Sequence, residues 1–136
     1  MSNKTIVQRM FDEIINKGDV DLVDELFDPA FVTETPQGTF DREGFKQYVL
    51  GWRAGFPDVR CEVTDVVEEG DRIAWAVRAT GTHTGDFMGI PATGRSIDIQ
   101  GIDIMRFDGA GLVCEHWGVT DTMAMMQQLG VVPDGP

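Results

Sequence analysis

The sequence predicts an α+β domain, with N-terminal helices packed over a strongly curved, mostly antiparallel sheet. Three observations predict it. Apolar residues recur at helical spacing up to Pro57 and at alternating spacing beyond it. The helical stretches come first and the strand stretches follow, the order of an α+β chain rather than of a wound parallel sheet. The strand stretches are also long, as in Ile97 to Phe107. Long strands twist and curl. Helices lying across the concave side would give a cone-shaped barrel around an apolar cavity.

Taken in order, Ile6, Val7, Met10, Phe11, Ile14 and Ile15 form one stripe of a first helix, which Gly18 stops. Asp19 can cap a short second helix carrying Val20, Leu22, Val23, Leu26 and Phe27. Asp28-Pro29 ends it, because a residue before proline avoids the helical region. Phe31 to Thr35 suits a short strand. Asp41 caps a third helix striped by Phe45, Tyr48, Val49, Trp52 and Phe56. Then Val59, Cys61 and Val63 alternate with Arg60, Glu62 and Thr64, and Glu69-Gly70-Asp71 turns the chain. Ile73, Trp75, Val77, Ala79, Gly81 and His83 share one parity of the next strand. Gly85 to Gly94 is a loop. Ile97, Ile99, Gly101, Asp103, Met105 and Phe107 share one parity of another. Asp108 to Gly111 is a hairpin turn, Leu112 to Thr120 the last strand, and Asp121 opens a final helix with Met123, Met126 and Leu129. Val131 to Pro136 reads as an exposed end.

The 136 residues suit one domain over 1–136, large enough for a core without staples. A net charge of −12 excludes the basic footprint of a nucleic-acid binder and disfavours an anionic membrane surface. No run approaches the roughly 20 apolar residues of a membrane span, and the N-terminus lacks a signal-peptide pattern. Cys61 and Cys114 read as buried thiols of a reducing compartment. A cytoplasmic location is expected.

Four ionisable residues stand among apolar strand positions, where a charge must be paired or used. Asp103 lies on the Ile97–Phe107 parity. It either pairs with Arg78 or Arg106, or serves a pocket as acid, base or oxyanion partner. Asp121 follows Trp117 and Val119 in parity and either caps the last helix or acts in catalysis. His83 and His116 are either hydrogen-bonded core residues or catalytic, and a His–Asp pair would fix a tautomer. Trp52, Phe56, Phe87, Met88 and Trp117 are candidate substrate-binding walls, or simply core. Two histidines without ligand spacing give no metal site, and no phosphate loop or dinucleotide fingerprint implies a cofactor.

Several stretches together resemble the SnoaL-like family of the nuclear transport factor two superfamily. They are Gly81-Thr-His-Thr-Gly85, Pro91-Ala-Thr-Gly-Arg95, Gly101-Ile-Asp-Ile104, Glu115-His-Trp117 and Gln127-Gln-Leu-Gly130. The resemblance implies the same α+β cone. It also implies a small cofactor-free cyclase that closes a polyketide ester ring by intramolecular aldol condensation. An aspartate near the end of the last strand is acid and base in those cyclases, and Asp121 matches it. Their preceding strand offers a glutamine and a histidine, where this chain has Gly101 and Asp103.

The expected function is acid–base catalysis on a small, largely apolar carbonyl or ester compound. Hydrolysis, dehydration and isomerisation need the same groups, and a non-catalytic ligand-binding or dimerisation module uses the same fold. Apolar residues on both sheet faces, Ile102 and Ile104 opposite Ile99 and Met105, predict a homodimer through the face the helices leave bare.

Overall fold

The computed structural model describes residues 2–133. The expected exposed end lies outside them from residue 134 onward. Helix α1 (Asn3–Arg9) starts where the Ser2 hydroxyl accepts the Thr5 N–H. It widens into a π-helical run over Met10–Ile15, closed by an Asn16 N–H to Phe11 carbonyl bond. Ile6, Val7, Met10, Phe11 and Ile14 are buried along it, as their spacing predicts. Helix α2 (Leu22–Leu26) is only five residues long. Its cap position is Asp21 rather than Asp19, and no side chain caps it. In α3 (Arg42–Gly55) the Asp41 carboxylate accepts the Gly44 N–H, and Phe45 and Val49 point into the core.

Six strands form one sheet in the order β2-β1-β6-β5-β4-β3. Their ranges are β1 (Phe27–Thr35), β2 (Gly38–Phe40), β3 (Arg60–Glu69), β4 (Arg72–Thr82), β5 (Ser96–Phe107) and β6 (Val113–Thr120). All neighbours are antiparallel except β1 with β6, which run parallel. Three expectations need correction. The sheet is not closed into a barrel, since β2 and β3 remain its edges. Strand β1 starts at Phe27, the last residue assigned to the second helix. It passes through Pro29, which lacks an N–H, by way of a register shift between Phe27 and Val32. Thr35 to Gly38 turns the chain into the unforeseen strand β2.

The core has two clusters. The larger joins α1, α2 and α3 to Ile73, Trp75, Val77, Met105 and Val113. The smaller gathers Phe56, Val59, Phe87, Ile97 and Ile99 under α4 (Thr122–Leu129). In α4 the inward pair is Met125 and Leu129; Met123 is exposed, contrary to the expected stripe. The 83–95 loop is fastened to α3, because the Thr84 and Gly85 N–H groups donate to the Gly55 carbonyl. A Cβ at Gly85 would stand 2.1 Å from the Ala54 carbonyl oxygen, so only glycine fits there. No helix among the described residues is long and apolar enough to cross a membrane.

Candidate active site

The concave face of the sheet and the inner sides of the Met10–Ile15 run and α3 enclose a cavity of about 90 Å³. Its walls are largely apolar, with Met10, Phe11, Phe45, Val49, Val77 and Ala79 among them. Its polar groups come from Thr35, Tyr48, Arg53, Cys61, Asp103, His116 and Thr120. Few polar groups converging in an apolar pocket is the usual build of a small-molecule site.

Strand pairing decides which residues reach it. Asp103 pairs with Gly118, Gly101 with Thr120 and Met105 with His116, so these six side-chain positions face the same side. His116 Nε2 is hydrogen-bonded with Asp103 Oδ1 at 2.8 Å, and His116 Nδ1 lies 2.6 Å from Thr33 Oγ1. The side chains of His116 and Asp103 are 7% and 14% exposed, and Thr33 is fully buried. The imidazole lies in near-parallel planes with Trp75, at 6.2 Å between centroids, and meets Phe45 edge-on at 6.0 Å. It is therefore held from both sides as well as at both nitrogens.

Asp103 thus avoids the two arginines that could have neutralised it. Arg78 is bound to Asp98 and Arg106 to Glu115. Arg53, the one arginine lining the cavity among the described residues, donates through Nη1 to the carbonyls of Ile15 and Asn16, tying α3 to the end of the first helix. The Asp103 charge and burial are felt nearby. Burial chiefly, with Asp103 adding, pushes the Cys61 thiol up to about 12, so it stays protonated at neutral pH. The same two causes raise the Tyr48 phenol above its usual range.

The other candidate residues lie elsewhere. Asp121 shares parity with Trp117 and Val119, which puts it on the outer side of β6. It is exposed, does not line the cavity, and accepts the Ala124 N–H at 3.0 Å as the cap of α4. Of its two expected roles, cap of the last helix or catalyst, this position supports the cap. Trp117 also sits on the outer side, where the Arg72 guanidinium lies 5.6 Å from its ring. His83 is fully buried outside the cavity, stacked on Phe56 at 5.2 Å. Its Nδ1 accepts the Thr93 N–H, and its Nε2 has no partner among the described residues. Phe56 and Phe87 are buried in the smaller core cluster, and Met88 is exposed on the loop with a positive φ of 51°. Of the five candidate walls, Trp52 alone lines the cavity.

Two contributors escaped the sequence reading, and each left a signal. Thr33 is a polar residue at the spacing of Phe31, on the buried side of β1. Gly118 is a glycine inside a strand, a common mark of close approach. A Cβ on it would stand 2.5 Å from Asp103 Oδ1.

The position of Asp121 makes a first testable difference. Asp121→Asn should keep the cap and leave turnover within about twofold, since asparagine caps as well as aspartate. Asp121→Ala should cost about 1 kcal/mol of stability by losing that cap. Chemical denaturation and a turnover assay on the two variants check both statements.

Comparison with known proteins agrees with this architecture. A family model described as SnoaL-like polyketide cyclase matches residues 5–129. IdmH of Streptomyces antibioticus, a proposed polyketide cyclase, is 31% identical over 96% of this chain and 99% of its own, with a TM-score of 0.83. A proposed SnoaL-like polyketide cyclase of Jannaschia sp. CCS1 is 27% identical over 96% of this chain and 93% of its own, with a TM-score of 0.87. AclR of Streptomyces galilaeus, a proposed hydroxylase, is 28% identical over 98% of this chain and 83% of its own, with a TM-score of 0.85. No curated protein matches the sequence significantly. The inward-facing sheet, the enclosed apolar cavity and the match over nearly the whole chain together show that the chain belongs to the SnoaL-like polyketide cyclase family.

Proposed function

We propose that this protein is a cyclase of the polyketide type that works by acid–base catalysis, with Asp103 as its base. The observation that carries the proposal is the hydrogen bond between Asp103 and His116 at the wall of an apolar cavity. One Asp103 oxygen is held by the imidazole N–H, and the other is left to meet a substrate. A carboxylate in a pocket of this kind can remove a proton next to a carbonyl group. The resulting enolate carbon attacks a second carbonyl carbon of the same molecule. A C–C bond forms, that carbonyl's π bond breaks, and the alkoxide takes the proton back from Asp103. The ring closes with no net change in composition. Tyr48 and Thr120 are hydroxyl donors lining the same cavity, suited to the carbonyl oxygens.

The substrate class is a small, mostly apolar ester with two carbonyl groups. The test is incubation of the protein with such poly-β-keto esters, followed by chromatography for a ring-closed product of unchanged mass. A ligand that binds without turning over would instead favour a binding module of the same fold.

The reading includes a homodimer. Val32, Ile102, Ile104 and Val119 are exposed together on the outer sheet face, Val119 at 63%. Apolar strand faces of this size need cover. Light scattering at micromolar concentration should give twice the chain mass, and Ile102→Asp with Val119→Asp should halve it. A monomeric parent would contradict the dimer. A cytoplasmic location accompanies the reading, supported by two cysteines that are both free thiols.

A further inference from the structure

The Asp103–His116 pair has a third member that acid–base chemistry does not itself require. Thr33 sits on β1, directly in register with His116 on β6, the parallel neighbour. Its hydroxyl lies 2.6 Å from His116 Nδ1 and has no other partner among the described residues. Thr33 is fully buried, so no water replaces a lost partner.

The proton positions follow from this arrangement. An ionised carboxylate only accepts, so His116 Nε2 must donate to Asp103. In a neutral imidazole the other nitrogen then only accepts, and the Thr33 hydroxyl donates to it. Every polar atom of the line is then satisfied. If His116 Nδ1 carried a proton, it would donate to Thr33 Oγ1. The threonine hydroxyl proton would then be buried without an acceptor, an arrangement native interiors avoid. The same objection holds for a doubly protonated ring and for the opposite neutral tautomer.

We propose that Thr33 is a positioning residue that donates to His116 Nδ1, keeping that nitrogen bare and the ring fixed, so that the Nε2 proton stays directed at Asp103 and Asp103 faces the cavity as a hydrogen-bonded carboxylate. Thr33 acts through His116 and touches no substrate. This inference deepens the acid–base reading of the site, but its physical content does not depend on the substrate.

The test is long-range nitrogen–proton NMR on the ¹⁵N-labelled protein at neutral pH. The chain has two histidines, and a His83→Gln variant assigns the pair of signals that remains to His116. The wild type should show His116 as a single species with Nε2 protonated and Nδ1 bare. Thr33→Val should leave the proton on Nε2, where Asp103 holds it, but shift the bare Nδ1 nitrogen signal downfield as it loses its donor, and Thr33→Ser, which keeps the hydroxyl, should return it. Thr33→Ala carries the same expectation if the valine variant does not fold. A proton on Nδ1 in the wild type would overturn the proposal, as would an unmoved Nδ1 signal in the valine or alanine variant. Once a substrate is in hand, Thr33→Val should lower kcat with KM held, and Thr33→Ser should recover it. The expected Nδ1 signals alongside an inert Asp103 would leave the Thr33 contact standing and remove the catalytic reading, so the two fail separately.

Discussion

Asp103→Asn is expected to fold as the parent does and to lose roughly 10²–10⁴-fold in kcat/KM, the range for removing a general base. The substitution is informative because it changes so little else. The asparagine oxygen can still accept the His116 Nε2 proton that Asp103 accepts at 2.8 Å. The neighbouring walls, Val77, Met10 and Tyr48 among them, keep the same shape to pack against. What disappears is the capacity to take a proton. The thermal midpoint should move by no more than a few degrees, and the loss should fall on kcat rather than KM. An asparagine variant with full turnover would remove Asp103 from the chemistry.

Gly118→Ala should be nearly as damaging, for a steric reason. Its Cβ would stand 2.5 Å from Asp103 Oδ1 and 3.1 Å from His116 Cε1. The carboxylate has to swing away, breaking its bond to the imidazole. A displacement of about 1 Å at a catalytic group can cost on the order of 10²-fold in rate. Overpacking should also cost roughly 1–3 kcal/mol of stability. Gly51→Ala is the matched control. Gly51 is exposed on α3 with nothing within 4 Å of the added methyl. That variant should gain about 0.5–1 kcal/mol and keep full activity, because glycine is a poor helix former. Urea denaturation and steady-state kinetics on the pair separate crowding of Asp103 from a general intolerance of alanine.

The fold was legible in the sequence because binary pattern does most of the specifying. The stripe of Ile6, Val7, Met10, Phe11 and Ile14 and the alternation around Ile99 and Met105 are buried as expected. The same parity brought Asp103 to the concave side. Parity was less helpful on β6 because the strand is irregular. A register shift between Arg106 and Phe107 sets Val113 and His116 facing inward together, although their numbers differ in parity. Leu112 and Cys114 share the numerical parity of His116 but not its burial. Beyond the shift the alternation is regular, and it sends Trp117, Val119 and Asp121 outward. The family correspondence pointed to Asp121, whereas the hydrogen bond to Ala124 holds its carboxylate at the α4 cap. Strand β2 and the parallel β1–β6 pairing left no local trace, since a three-residue edge strand and a neighbour choice depend on the whole sheet. His83 had the right parity for the interior, but parity cannot say where along a strand a cavity ends.

The most direct measurement is hydrogen exchange at the carbon between the two carbonyl groups of a β-keto ester, followed by NMR in deuterated water. A probe with no second electrophile cannot close a ring, so the signal reports proton removal alone. The wild type and Asp121→Asn should both accelerate exchange above the buffer rate, and Asp103→Asn should not. Acceleration that survives Asp103→Asn but is lost in Asp121→Asn would contradict the assignment of Asp103 as the base.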